Sequence, residues 1–180
     1  MHNSDFKQGF FTGTLEITPS GDGVHWIVDT PFSYTDGEEH SLTANEGFST
    51  DGASIPRALW TVIGSPFTGK YVQAAVIHDV GCVSHKYSWQ ITDRMFYSAM
   101  LDSGVSESQA KLLYWGVLVG GPRWETESNL EQGRTDSETR SHQLTEAQVR
   151  AFAAEILERQ NAGDPITLPE IEARTPRYKN

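Results

Sequence analysis

Cysteine is nearly absent from this chain: Cys82 is the sole one among 180 residues. One thiol excludes an internal disulfide framework and suits a reducing compartment or a protein that needs no stapling. The C-x-x-H spacing of Cys82 and His85 lacks the second ligand pair that a structural zinc site requires, so none is expected. Basic residues are scarce as well, 14 against 24 acidic, for a net charge of −10. Phosphate binding rests on clustered Lys and Arg, so a protein that coats nucleic acid is excluded. Long hydrophobic runs are missing: Leu112–Val119 falls far short of the roughly 20 residues that span a bilayer. Met1–Asp5 has neither the basic start nor the apolar stretch of a signal peptide. G-x-x-x-x-G-K-[ST], G-x-G-x-x-G, H-E-x-x-H and G-x-S-x-G are all absent, which leaves nucleotide chemistry and the common hydrolase signatures unsupported. A soluble protein with neither nucleic acid nor a membrane span remains.

What is present is one core's worth of apolar sequence, 37% hydrophobic with 11% aromatic, in a chain too short for two full domains. Phe11, Gly13, Leu15 and Ile17 alternate with polar residues, the period-2 pattern of one half-buried strand. Pro19–Gly23 turns it back into Val24–Val28 as a hairpin. Phe32–Tyr34 and Ser41–Thr43 form a second antiparallel pair around Asp36–Glu39, and Phe48–Thr50 is a last short strand. His25 and His40 read as surface or satisfied histidines. Beyond Asp51 the period changes. Pro56–Ile63 predicts a first helix. Lys70 to about Val80 predicts the next, with Gly81 closing it. Ser88 caps a helix from Trp89 to Leu101, and Ser106 with Gln109 opens another that Gly120-Gly121-Pro122 ends. The expectation is an α+β fold, an N-terminal antiparallel sheet followed by a helical cluster. It assigns residues 1–122 to one core, 123–143 to an acidic polar loop or linker, 144–162 to an amphipathic helix opened by the Thr145/Gln148 capping box, and 163–180 to an extended tail. Val149, Phe152, Ala153, Ile156 and Leu157 form the apolar face of that C-terminal helix, which needs either the core or another chain to dock on.

Five groups carry chemistry. Asp51 and Ser54 lie in Thr50-Asp51-Gly52-Ala53-Ser54-Ile55-Pro56, at the junction of sheet and helices, where side chains are held rigidly beside a cleft. A turn aspartate and a helix N-cap are the plain alternatives. His78 shares a face with Tyr71, Ala74 and Ala75, so it points inward. Asp79 falls in the last turn of its predicted helix, where the dipole disfavours it. Asp93 lies in a stripe with Trp89, Phe96 and Met100, where an unpaired carboxylate costs several kcal/mol. It therefore needs a partner, with His78 the obvious one and Arg94 or Arg57 the alternatives.

Ser49–Arg57, Ala74–Asp79 and Thr92–Phe96 together resemble DUF1353, a domain-of-unknown-function family found mostly in phages and prophages. The resemblance covers roughly Phe48–Gly121. It departs after Asp79, where Val80-Gly81-Cys82 stands in place of an aromatic-leucine-aromatic continuation. It implies a phage or prophage origin, with the bacterial host cytoplasm or the virion as location. Two functions follow as expectations. One is a hydrolase acting on an amide or ester, the cell wall or a peptide, with Asp51, Ser54, His78, Asp79 and Asp93 converging. It runs either through a divalent metal such as zinc held by His78, Asp79 and Asp93, or through Ser54 as nucleophile, His78 as base and Asp93 as orienter. The other is a non-enzymatic virion or assembly component that binds phage structural proteins or itself through helix 144–162.

Overall fold

The structure, a computed structural model, describes residues 7–51, 59, 69–124 and 145–175. Among the described residues six short strands come first: β1 (Phe10–Thr12), β2 (Ile17–Pro19), β3 (Trp26–Val28), β4 (Phe32–Thr35), β5 (Ser41–Ala44) and β6 (Ser49–Thr50). Five helices are delimited among the described residues: α1 (Val72–Ser84), α2 (Trp89–Asp102), α3 (Glu107–Gly120), α4 (Glu146–Asn161) and α5 (Leu168–Ala173). The fold is α+β, as expected.

The alternating stretch Phe11–Ile17 is not one strand. Gly13 takes φ +84°, a left-handed conformation that breaks a strand at little cost only for glycine. On one side of the break β1 pairs β4, Phe11 opposite Tyr34, and on the other β2 pairs β3, Ile17 opposite Val28. One chain segment therefore serves two antiparallel sheets, ordered β1-β4-β5 and β2-β3-β6. The β4–β5 hairpin turns on Asp36, whose carboxylate accepts from the backbone of Glu38 and His40 and meets His40 Nδ1 at 2.9 Å. Asp22 does the same for the β2–β3 turn, with His25 Nδ1 at 2.6 Å. Both histidines are satisfied at the surface.

Helix α1 is central. Every residue from Ala74 to Gly81 is buried, the mark of a helix enclosed on all sides. It packs on β5 and on α2, α2 on α3, and α3 on α4 and α5. Gly81 does not end α1. The helix runs on to Ser84 and stops where His85 turns left-handed at φ 50°. Gly81 is instead a packing residue: a Cβ there would collide with Thr92 Cγ2 of α2. The consequence is that Asp79 lies mid-helix, where the dipole penalty expected of a last turn does not apply, and Cys82 lies on the helix rather than in a loop.

At the far end of α2, Asp102 Oδ2 accepts from Tyr34 Oη at 2.7 Å and from Gly9 N at 3.0 Å, tying the first sheet to the helices. Helix α4 opens with the expected capping box at Thr145 and Gln148. Its face of Val149, Phe152 and Ile156 is buried against the chain's own α3, Phe152 lying 4.5 Å from Trp115 ring to ring. Of the two docking surfaces expected for this face, the chain's own core is the one found, Leu157 excepted at 55% exposed.

The tail is not extended throughout. Thr167 and Glu170 form a second capping box with a proline in the first turn, and α5 follows. Arg159 reaches Asp164 and Glu170, and Arg174 reaches Glu155, fixing α5 to α4. The expected helix over Pro56–Ile63 and most of the 123–143 linker lie outside the described residues. Among the described residues no helix is long and apolar enough to cross a membrane.

Candidate functional site

The crossing of α1 and α2 holds the site. Ser88 caps α2 by accepting from Ile91 N, which sets the stripe of Asp93, Phe96 and Met100 against α1. Because Gly81 offers no Cβ, Thr92 comes up against the α1 backbone, and one residue on, Asp93 Oδ1 lies 2.7 Å from His78 Nε2. Of the three partners expected for Asp93, the histidine is the one found. Arg94 instead forks onto Glu172 of α5, and Arg57 lies outside the described residues.

The pair is sealed, with side-chain exposures of 1% and 4%. Phe96 closes one side, its ring 4.9 Å from the imidazole. Burial opposes charge on both groups. It pushes the Asp93 carboxyl above its ordinary value, with His78 and Arg123 pulling the other way. Burial also presses His78 down, but Cys82 and Asp93 outweigh it and hold the imidazole well above 6.5. A short hydrogen bond between the two groups offsets much of that desolvation. With Nε2 engaged by Asp93, Nδ1 is the nitrogen left to exchange a proton.

Cys82 stands beside that ring, Sγ 3.7 Å from Nδ1 and 4.0 Å from Nε2. Positions 78 and 82 are i and i+4 on α1 and so share a face. The relation holds because the helix continues past Gly81 to Ser84. Asp79, the next position around α1 and 6% exposed, faces elsewhere: it accepts a very short hydrogen bond from Thr50 Oγ1 of β6. Thr50 is 2% exposed, so this is a second buried polar tie, between sheet and helix, that was not foreseen. Asp51 follows directly, half-buried, its charge helping to raise His25 above the ordinary histidine value after the larger effect of Asp22. Among the described residues His78 meets Asp93 and Cys82. Ser54 lies outside the described residues.

The metal set expected of His78, Asp79 and Asp93 is not assembled. His78 and Asp93 face each other, whereas Asp79 faces Thr50, and among the described residues no three His, Cys, Asp or Glu side chains gather to hold an ion. Two adjacent helical residues point about 100° apart, which is why the His78-Asp79 dipeptide divides between two partners. One further buried group is unexplained by packing alone. Thr92 Oγ1 has no hydrogen-bond partner among the described residues, and an added Cβ at Gly81 would lie 3.1 Å from it.

A family model described as "Protein of unknown function (DUF1353)" matches residues 26–117, a span that includes both buried ties. Two relatives come from Sinorhizobium fredii (strain NBRC 101917 / NGR234). The "Uncharacterized protein y4iH" is 33% identical over 187 residues, covering 94% of this chain and 78% of that protein. The "Uncharacterized protein y4jT" is 35% identical over 126 residues, covering 67% of this chain and 38% of that protein. No solved structure matches.

Proposed function

We propose that this chain, which belongs to the DUF1353 family of proteins of unknown function, is a hydrolase of esters or amides in which His78 moves the proton and Asp93 holds it. The observation that carries the reading is the buried contact of 2.7 Å between Nε2 and Asp93 Oδ1. A carboxylate behind one ring nitrogen fixes the tautomer and stabilises the charge that the imidazole acquires, which is the arrangement a general base needs. His78 Nδ1 takes the proton of the attacking group as it adds to the carbonyl carbon. It then delivers that proton to the leaving oxygen or nitrogen. Of the two mechanisms expected from the sequence, the one with Ser54 as nucleophile shares this His78–Asp93 pair, whereas the metal-assisted one needs ligands that do not converge among the described residues. The motif resemblance to phage and prophage proteins would make the bacterial cell wall or a peptide the substrate, and the host cytoplasm or the virion the setting.

A second reading has one observation in its favour, the near-complete burial of His78, Asp93 and Asp79. In a non-enzymatic virion or assembly component the two ties would act as polar staples, one between helices and one between sheet and helix. Hydrolysis of p-nitrophenyl acetate and of a p-nitroanilide by wild type and Asp93→Asn separates the two. The hydrolase reading expects the variant to lose about 10²–10⁴-fold in rate. A variant that melts lower yet turns over at the wild-type rate would leave only the staple.

A further inference from the structure

His78 and Asp93 are too well covered to meet a dissolved substrate themselves, at 1% and 4% exposure. A proton moved inside the crossing reaches the outside through a group that touches the imidazole and also touches solvent. Cys82 is such a group. It is partly exposed, its neighbour Val83 is 71% exposed, and its sulfur is in contact with the ring. The order from interior to surface is therefore carboxylate, imidazole, thiol.

We propose that Cys82 is the nucleophile of this site and forms a thioester with the acyl group of the substrate. The proposal rests on the hydrolytic reading above and supplies the attacking atom that reading leaves unnamed. Sγ transfers its proton to His78 Nδ1 and forms a bond to the carbonyl carbon. The carbon–oxygen or carbon–nitrogen bond of the substrate breaks, and the leaving group departs with the proton from Nδ1. Water then attacks the thioester, giving a proton to Nδ1. The carbon–sulfur bond breaks, and Sγ takes that proton back as the acid leaves. No oxidant, reductant or metal enters the balance.

The geometry suits an unliganded site. Nearly equal distances from Sγ to the two ring nitrogens, 3.7 and 4.0 Å, put the sulfur off the in-plane axis of Nδ1. Catalytic hydrogen bonds are often long or poorly aligned until substrate tightens them. The same crossing holds a second group with capacity to spare. Thr92 Oγ1, on a residue 0% exposed, has no partner among the described residues, and it abuts Gly81, the residue before Cys82. Buried hydroxyls without partners are rare, and each calls for an explanation such as a bound atom.

The test uses the full-length protein, p-nitrophenyl acetate and intact-mass spectrometry. Cys82 is the sole cysteine, so a hydroxylamine-labile acetyl group reports on one atom. Wild type is expected to release a burst approaching one p-nitrophenolate per chain and to carry one labile acetyl. Cys82→Ala is expected to lose both, and iodoacetamide pretreatment of wild type to do the same without any substitution in the fold. Asp93→Asn is expected to slow acetylation at least 10-fold. If Cys82→Ala turns over at the wild-type rate while Asp93→Asn is slow, the nucleophile proposal is overturned and the dyad stands with water attacking directly. If Cys82 acetylates as fast in Asp93→Asn as in wild type, the dyad reading fails and the thiol is only an exposed one. Wild type that acquires no acetyl overturns the nucleophile outright.

Discussion

Gly81→Ala is the substitution whose sign tests the crossing most directly. In an ordinary helix interior the change is favourable, since glycine is about 0.8–1.0 kcal/mol worse than alanine there. Gly81 lies inside α1 with ordinary helical geometry, so this gain applies in full. Against it stands the space. The new methyl would overlap Thr92 Cγ2, lie 3.1 Å from Thr92 Oγ1 and 3.2 Å from Leu42 Cδ1. Thr92 is 0% and Leu42 2% exposed, so neither side chain can yield into solvent. Overpacking of this kind costs about 1–3 kcal/mol, which at least matches the propensity gain and leaves a net loss of up to about 2 kcal/mol. In a chain of this size each kcal/mol lowers Tm by about 2–4 °C. The assay is thermal and urea unfolding of wild type, Gly81→Ala, Thr92→Ser and the double variant. Thr92→Ser deletes the colliding methyl, so the double variant should recover part of the loss, a coupling of about 0.5–3 kcal/mol. A rise in Tm for Gly81→Ala would refute the reasoning, because it would mean that the two helices leave room for a methyl and do not approach as described.

Two further outcomes follow. His78 is held well above 6.5 in the folded chain, so the stability it contributes is fully present below that unfolded value and is lost as pH rises through the higher folded one. Tm should therefore decline on the alkaline side, and Asp93→Asn, which removes a cause of the shift, should end that decline at lower pH and make it smaller; an upper limit that stays put argues against the pairing. Phe152→Ala empties the contact between α4 and Trp115 at a residue 6% exposed, and denaturant unfolding should show a loss of about 3–5 kcal/mol. An unchanged free energy would mean that α4 adds nothing to the core.

The fold class was legible because the period changes visibly at Asp51, and Ser88, Ser106 and Thr145 announce their helices with capping side chains. Asp93 was legible for a sharper reason: a carboxylate in a stripe of Trp, Phe and Met has to find a partner, and His78 was the inward-facing candidate. What misled was glycine. Gly13 looked like a member of an alternating strand and is the break in it, since a pattern of polarity carries no sign of φ. Gly81 looked like a helix stop and is a packing contact, because only the neighbouring helix shows why a Cβ is missing. That single misreading hid the i, i+4 relation of His78 and Cys82. The Thr50–Asp79 tie joins a strand and a helix 29 residues apart, a distance over which no local rule operates. Helix α5 is announced by the capping box of Thr167 and Glu170 and carries its proline in the first turn, where a missing N–H costs nothing.

Asp102 has a consequence in time as well as in space. Its carboxylate is what Gly9 N and Tyr34 Oη donate to, across separations of 93 and 68 residues. During synthesis the first sheet's strands leave the ribosome well before that acceptor exists. At about 5–20 residues per second the wait after Gly9 lasts roughly 5–20 s. The sheet is made early and anchored late, and its anchor arrives with the last residue of α2, the helix that also brings Asp93. The first sheet and the buried histidine thus depend on the same helix.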